Sequence, residues 1–273
     1  MKVKESLKEY HSKPCLSKTK LFRLIDKCPE WFKFCEEHPE AREESKSLLF
    51  GAALHKMALE PDEFFDEYAV APNVDRRTAA GKAEYAAFTE SLGEREIVPY
   101  DMYATIEQMC GKLSSVPLVK YLLSGEVETS YYFADPLTGI ELQARPDVYK
   151  QVGERGLIVD LKTCASADSD SFRKAAINYG YDIQAAMFIE ACRQEYGIPC
   201  DFVFVAIEKE PPYMVNVLSA DELLVKYGRD RLREAIGIFK ECSESGNWYG
   251  YNGFSGIINN LALPAYLAKE IEG

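Results

Sequence analysis

Up to Leu123 the apolar residues recur at helical spacing; beyond it the pattern shortens to strands. Ser17-Lys18-Thr19-Lys20-Leu21-Phe22 reads as a capped helix start running to about Cys28, and Pro29 at a first-turn position opens another helix to Glu37. Residues 47–60 predict a helix with Leu48, Leu49, Ala52, Ala53, Met57 and Leu59 as its apolar surface, His55 within it and Pro61 stopping it. A loop at 75–82 runs into a helix over 79–91, and residues 100–123 read as helical with an interruption at 114–117. Three strands follow, at 126–134, 140–149 and 157–162. The turn Asp135-Pro136-Leu137-Thr138-Gly139 joins the first two as a hairpin. In the second, Glu141, Gln143, Arg145 and Asp147 alternate with Leu142, Ala144, Pro146 and Val148, so one face is polar and suited to lining a cleft. Helices at 169–178 and 181–195, strands at 202–208 and 213–218, and a long helix capped by Ser219 and reaching about Ser245 complete the pattern. The tail from Gly246 to Gly256 is rich in glycine, asparagine and aromatics (Trp248, Tyr249, Tyr251, Phe254). Packing on the chain's own core or on a neighbouring subunit explains it better than stacking on unpaired bases.

The expected fold is α/β: a mixed central sheet flanked by helices, with a helical N-terminal elaboration. With no repeat and no low-complexity linker, residues 1–273 read as one domain, made of a helical part to about 123, a core over 124–220, and a C-terminal helix and tail over 221–273. The composition, 47% hydrophobic over 273 residues, supports a sizeable core. No segment approaches bilayer-spanning length, and Met1-Lys2-Val3-Lys4-Glu5 carries no apolar leader, so a cytoplasmic protein with no membrane partner is expected. The eight cysteines contain no Cys-x-x-Cys pair, which argues against a zinc knuckle and for reduced thiols. A formal net charge of −12 argues against a generic basic nucleic-acid binder. Charge is local, however. Positions 1–20 hold six lysines against two glutamates, and Arg76, Arg77, Lys82 and Arg145 are candidate contacts to a phosphate backbone.

Arg145-Pro146-Asp147 and Val159-Asp160-Leu161-Lys162-Thr163 carry the chemistry. The period of two turns Asp160 and Lys162 to one strand face, and Asp147 comes from the preceding strand. Two aspartates suit a hard divalent cation that keeps sites for water and phosphate, and a lysine beside it suits phosphodiester hydrolysis. Alone, Asp-x-Lys is a weak signal: Glu44-Ser45-Lys46 satisfies the looser acid-x-Lys pattern with no strand around it, and a solvated ion pair at a strand end is the plain alternative. The upstream Pro-Asp and the following helix with Gln184 strengthen it.

The ordered set Gly51-x-x-x-His55, Leu59-Glu60-Pro61, Arg76-Arg77-Thr78, Gly81-Lys82, Glu128-x-Ser130, Arg145-Pro146-Asp147, Asp160-Leu161-Lys162-Thr163 and Gln184-Ala185-Ala186 resembles the RecE-type exonucleases of prophages and recombination modules, in the PD-(D/E)xK superfamily. The resemblance spans about residues 17–204 and implies a restriction-endonuclease-like core. It further implies an Mg2+-dependent enzyme, with Mn2+ as a substitute, that digests double-stranded DNA from its ends in the 5′ to 3′ direction. The 3′ strand left behind would pass to a single-strand annealing protein, and the enzyme would be a ring-shaped homo-oligomer, a trimer or tetramer. Carried over to this chain, it makes Asp147 and Asp160 metal ligands, with Leu161 and His55 also in the metal site, Lys162 the catalytic lysine, and Glu128 and Gln184 supporting groups. One position departs: the superfamily's Gln-x-x-x-Tyr is Gln184-Ala185-Ala186-Met187-Phe188 here, which removes a hydroxyl. An endonuclease or structure-specific nuclease of the same superfamily, or a noncatalytic DNA-end or recombinase-interaction protein, are the alternatives.

Overall fold

The computed structural model describes residues 1–39, 46–253, 256 and 258–263. Glu44, Ser45 and the tail residue Phe254 lie outside them. The N-terminal part runs β1 (Lys2–Val3), α1 (Leu7–Ser12), α2 (Lys18–Asp26), α3 (Pro29–Glu37), α4 (Lys46–Leu59), α5 (Phe64–Glu67), β2 (Tyr68–Val70), α6 (Ala79–Glu90), β3 (Glu96–Val98), α7 (Tyr100–Ser115) and α8 (Pro117–Leu122). Local chemistry accounts for its main boundaries. Ser17 caps α2 by accepting from the Lys20 N–H, Pro29 starts α3, and Val116-Pro117 divides α7 from α8. The short parallel pair β2–β3 and the strand β1 carry too few residues to leave a periodic signal.

The core follows with β4 (Glu126–Val127), β5 (Ser130–Ala134), β6 (Glu141–Ala144), β7 (Val148–Val152), β8 (Arg155–Cys164), α9 (Ser169–Asn178), α10 (Tyr181–Tyr196), β9 (Cys200–Glu208), β10 (Val215–Ser219) and α11 (Glu222–Ser245). The five-stranded sheet has the order β10-β9-β8-β7-β4, with β8 and β9 parallel and every other neighbour antiparallel, so it is mixed as expected. Helices α9 and α10 make the crossover between the parallel pair. Along β8 the side chains sort by parity. Ile158 joins an apolar cluster with α2, α3, α10 and α11, while Val159 and Leu161 join a second with α4, α7 and α8 on the opposite face. Among the described residues no helix is long and apolar enough to cross a membrane.

The predicted hairpin forms but is broken in both arms. Its outer part, β5–β6, belongs to a three-stranded sheet with β1, and its inner part, β4–β7, belongs to the main sheet. Register continues across the break: Tyr131 faces Ala144, and Val127 faces Val148. Pro146 cannot donate to a ladder, so 145–147 leave strand geometry, and opposite them Glu128 takes a φ of 46°. The Glu128 N–H still donates to the Asp147 carbonyl at 3.0 Å. The expected strand at 140–149 is thus two strands in two sheets, with Asp147 at the seam. A second correction concerns α11. Asp221, not Ser219, caps it by accepting from the Leu224 N–H at 2.7 Å, because Ser219 is still paired in β10. In the tail, Trp248 stacks on Phe32 with centroids 5.3 Å apart and meets Phe239 edge-on, so this part packs on the chain's own α3 and α11.

Candidate metal centre and cleft

The seam places three ligand-type side chains together. His55 from α4, Glu128 and Asp147 offer atoms all within 4.8 Å of one another, the one such His/Cys/Asp/Glu group found among the described residues. Each is held by neighbours. Asp147 Oδ1 lies 3.4 Å from His55 Nδ1, and its Oδ2 accepts from the Leu161 N–H at 2.6 Å, tying the seam to β8. Arg145 Nε donates to Glu128 Oε2 at 2.7 Å, while its Nη1 donates to the Glu5 carbonyl at 2.8 Å and to Ser130 Oγ at 3.3 Å. Burial disfavours the His55 imidazolium, but the adjacent Asp147 carboxylate outweighs it and raises the imidazole to about 9. Burial and the Asp147 charge push the Glu128 carboxyl up; Asp147, despite its own burial, is held low by His55. One imidazole and two crowded carboxylates, one of them destabilised as an anion, are a donor set that fits a divalent cation.

Asp160 and Lys162 leave the same face of β8, as the strand period requires, and therefore meet each other in an ion pair. Asp160 is fully buried. Its Oδ1 accepts from Gln184 Nε2 at 2.5 Å, and Oδ2 lies against the Lys162 ammonium. Burial drives the Asp160 carboxyl up to about 6 despite the ammonium. Asp160, expected as a metal partner of Asp147, faces Gln184 and Lys162, and Glu128 lies beside His55 and Asp147. Leu161, expected in the metal site, contributes a backbone N–H to Asp147 and buries its side chain in the α4 and α7 cluster. Phe188, where the superfamily has tyrosine, is buried against Phe202.

The candidate backbone contacts are not gathered here. Arg145 is only 9% exposed, is bound to Glu128 and lines the larger cavity beside it. Arg76 lies over the Tyr85 ring, Arg77 forks onto Asp75 and Lys82 sits on α6; none lines either cavity at the site. Lys18 and Tyr181 escape a reading of the sequence. The Lys18 ammonium lies 5.1 Å from the Phe22 ring and 5.6 Å from the Tyr181 ring, which also receives Lys162 at 5.0 Å. Their one signal is the lysine-rich N-terminus feeding a capped helix. Two cavities, of about 680 and 480 Å3, meet at the wall formed by His55, Tyr10 and Gly51.

Residues 17–259 match a family described as a PDDEXK-like domain of unknown function, DUF3799. The chain belongs to this family. As a PDDEXK-like domain it carries the signature as Pro146-Asp147 at the seam and Asp160-Leu161-Lys162 on β8. This nuclease-type fold agrees with the superfamily expected from the motifs. The structure also resembles a crystal structure of a candidate exonuclease from Eubacterium rectale, with a TM-score of 0.65, 14% identity and 99% of each chain covered, a likeness of fold. A second solved structure, SSO0001, has 14% identity over 84% of this chain and 82% of its own, at a TM-score of 0.36 too low to carry an argument. No curated protein matches the chain by sequence.

Proposed function

We propose that this chain is an Mg2+-dependent deoxyribonuclease that digests double-stranded DNA from its ends, 5′ to 3′. The observation that carries the reading is the meeting of His55, Glu128 and Asp147 a short distance from Asp160 and Lys162, at the seam that the PDDEXK-like fold opens in its hairpin. A divalent cation bound there would supply Lewis acidity to a phosphate oxygen and lower the pKa of a bound water. The protein's own groups supply the rest. Arg145 fixes Glu128, the Leu161 N–H fixes Asp147, and Gln184 fixes Asp160, so that the acidic oxygens keep their places without rearrangement. Lys162, held between Asp160 and the Tyr181 ring, presents its ammonium where charge develops on the phosphate or where the attacking water is oriented.

The motif resemblance supports a homo-oligomeric ring, trimer or tetramer, acting with a single-strand annealing protein in phage-type recombination. Arg76, Arg77 and Lys82 remain the proposed outer grip on the duplex. Free thiols at all eight cysteines suit a cytoplasmic setting. End-labelled linear duplex and covalently closed circular duplex, each incubated with and without Mg2+, test the reading. Progressive shortening of the linear form with Mg2+ alone, and resistance of the circle, are expected. Efficient cutting of the circle would favour an endonuclease, and loss of no substrate under any metal would overturn hydrolysis altogether.

A further inference from the structure

The two cavities that share the His55 wall have opposite charge. The larger has six carboxylates in its lining, Glu5, Glu60, Glu63, Glu67, Glu128 and Asp147, against three cations, Lys4, Lys56 and Arg145. The smaller, of about 480 Å3, is lined by Lys18, Lys20, Arg23 and Lys162, with no aspartate or glutamate among its described lining residues. In a chain of net charge −12 such a segregation is unexpected of a solvated surface. Lys20 and Arg23 lean on Glu36, at 2.8 and 3.9 Å. Lys18 has no carboxylate within ion-pair distance among the described residues; its ammonium donates to the Tyr179 carbonyl, which leaves two of its three N–H bonds for a ligand. Tyr181 holds the Lys18 and Lys162 ammonium groups against one ring, so the proposed catalytic lysine and a second cation face the same space.

We propose that the smaller cavity receives the phosphodiester backbone of the DNA strand being cut, with Lys18 as the phosphate contact next to Lys162. This rests on the nuclease reading and adds where the cut strand runs at the site: along the start of α2. Burial, followed by repulsion from Lys162, lowers the Lys18 ammonium to about 8, a strain that an anion between the two lysines would relieve. A further feature points to a nucleotide over a bare anion. Gln143 is buried and lines the same cavity, and its Oε1 has no hydrogen-bond partner. An open acceptor beside cations suits a ligand that combines anionic oxygens with a base amino donor. The volume falls within the range of about 300–1,000 Å3 typical of ligand sites.

The test is binding of a short blunt-ended duplex without added divalent metal, followed by fluorescence anisotropy across a series of NaCl concentrations. Removing one lysine–phosphate interaction should make the plot of log affinity against log salt shallower by about 0.9. Lys18→Gln is expected to show that change and to weaken binding about tenfold at low salt, Lys18→Arg to restore the slope, and Lys240→Gln, a surface change of equal charge, to leave it as in the wild type. Should Lys18→Gln fail to fold, Lys20→Gln probes the same cavity. A folded Lys18→Gln protein with the wild-type slope, or an equal change in Lys240→Gln, overturns the proposal. Binding with the expected slope but no cutting in Mg2+ would sink the nuclease reading and leave the strand site; cutting with no slope change would do the reverse.

Discussion

Gly228→Ala should destabilise the protein, although alanine is the better helix former. Gly228 lies inside α11 where that helix crosses the start of α10, and a Cβ there would sit 2.0 Å from the Asp182 carbonyl oxygen and 2.3 Å from its carbon. Side-chain carbons do not approach backbone so closely, so the two helices must part by about an ångström or more. The crossing resists because Arg231 Nη1 donates to both carboxylate oxygens of the buried Asp182 at 2.9 Å. Overpacking of this kind costs about 1–3 kcal/mol, against a gain of about 1 kcal/mol from helix propensity. Gly237, in the same helix, is the internal control: it is exposed, and nothing lies within 4 Å of an added Cβ. Gly237→Ala should therefore stabilise by about 0.5–1 kcal/mol. Urea unfolding followed by circular dichroism measures both, and each kcal/mol corresponds to about 2–4 °C of melting temperature at this size. The effect reaches the site because Gln184, which holds Asp160, stands two positions after Asp182. A Gly228→Ala protein as stable as Gly237→Ala would refute the close crossing and the reasoning built on it.

Asp147→Asn and Asp160→Asn should each abolish metal-dependent cleavage while keeping most backbone contacts, and near-normal hydrolysis by either would sink the site assignment. Lys162→Ala should lower turnover by about 10²–10⁴, well beyond its effect on DNA affinity, as expected for a group acting on the transition state; single-turnover rates and equilibrium binding separate the two. The folded imidazole of His55, near 9, lies above the ordinary value of 6.5, so the His55–Asp147 pair stabilises fully below about pH 6.5 and its contribution is lost as pH rises through about 9. Lys18, lowered to about 8, has the opposite sign, so the informative quantity is the melting temperature of wild type minus His55→Asn from pH 6 to 10 in chelator. A difference that does not shrink toward pH 10 would remove the charge pair.

Much of this is legible because local chemistry and long-range packing agree. Ser17, Pro29 and Pro117 mark helix starts that the tertiary structure keeps, and the apolar run through Leu157-Ile158-Val159 can only be a buried strand. Asp160, Lys162 and Gln184 are found for the same reason: strand parity and one helix face bring them together. What escapes depends on contacts distant in sequence. Nothing local in Glu128-Thr129 announces a positive φ, and the polar alternation of 141–147 conceals that Pro146 hands the chain from one sheet to another. Arg145, in a row of polar residues, looks available to a phosphate; its partner, the Glu5 carbonyl, is 140 positions away. Lys18 reads as a helix-start residue because its neighbours Tyr179 and Tyr181 arrive only with α10.

The break in the hairpin has a bearing on synthesis. Three contacts of the centre are built by closing long loops: the Glu5 carbonyl supports Arg145, His55 meets Asp147, and Lys18 meets Tyr179. Such closures come late in folding, since their entropic penalty precedes any reward. A nascent chain emerging from its N-terminus would expose the cationic α2 long before Asp147, the last of the His55, Glu128 and Asp147 group, had been added. Assembly of the seam thus waits for both halves of the chain, and a fragment that lacks either side lacks the group of His55, Glu128 and Asp147.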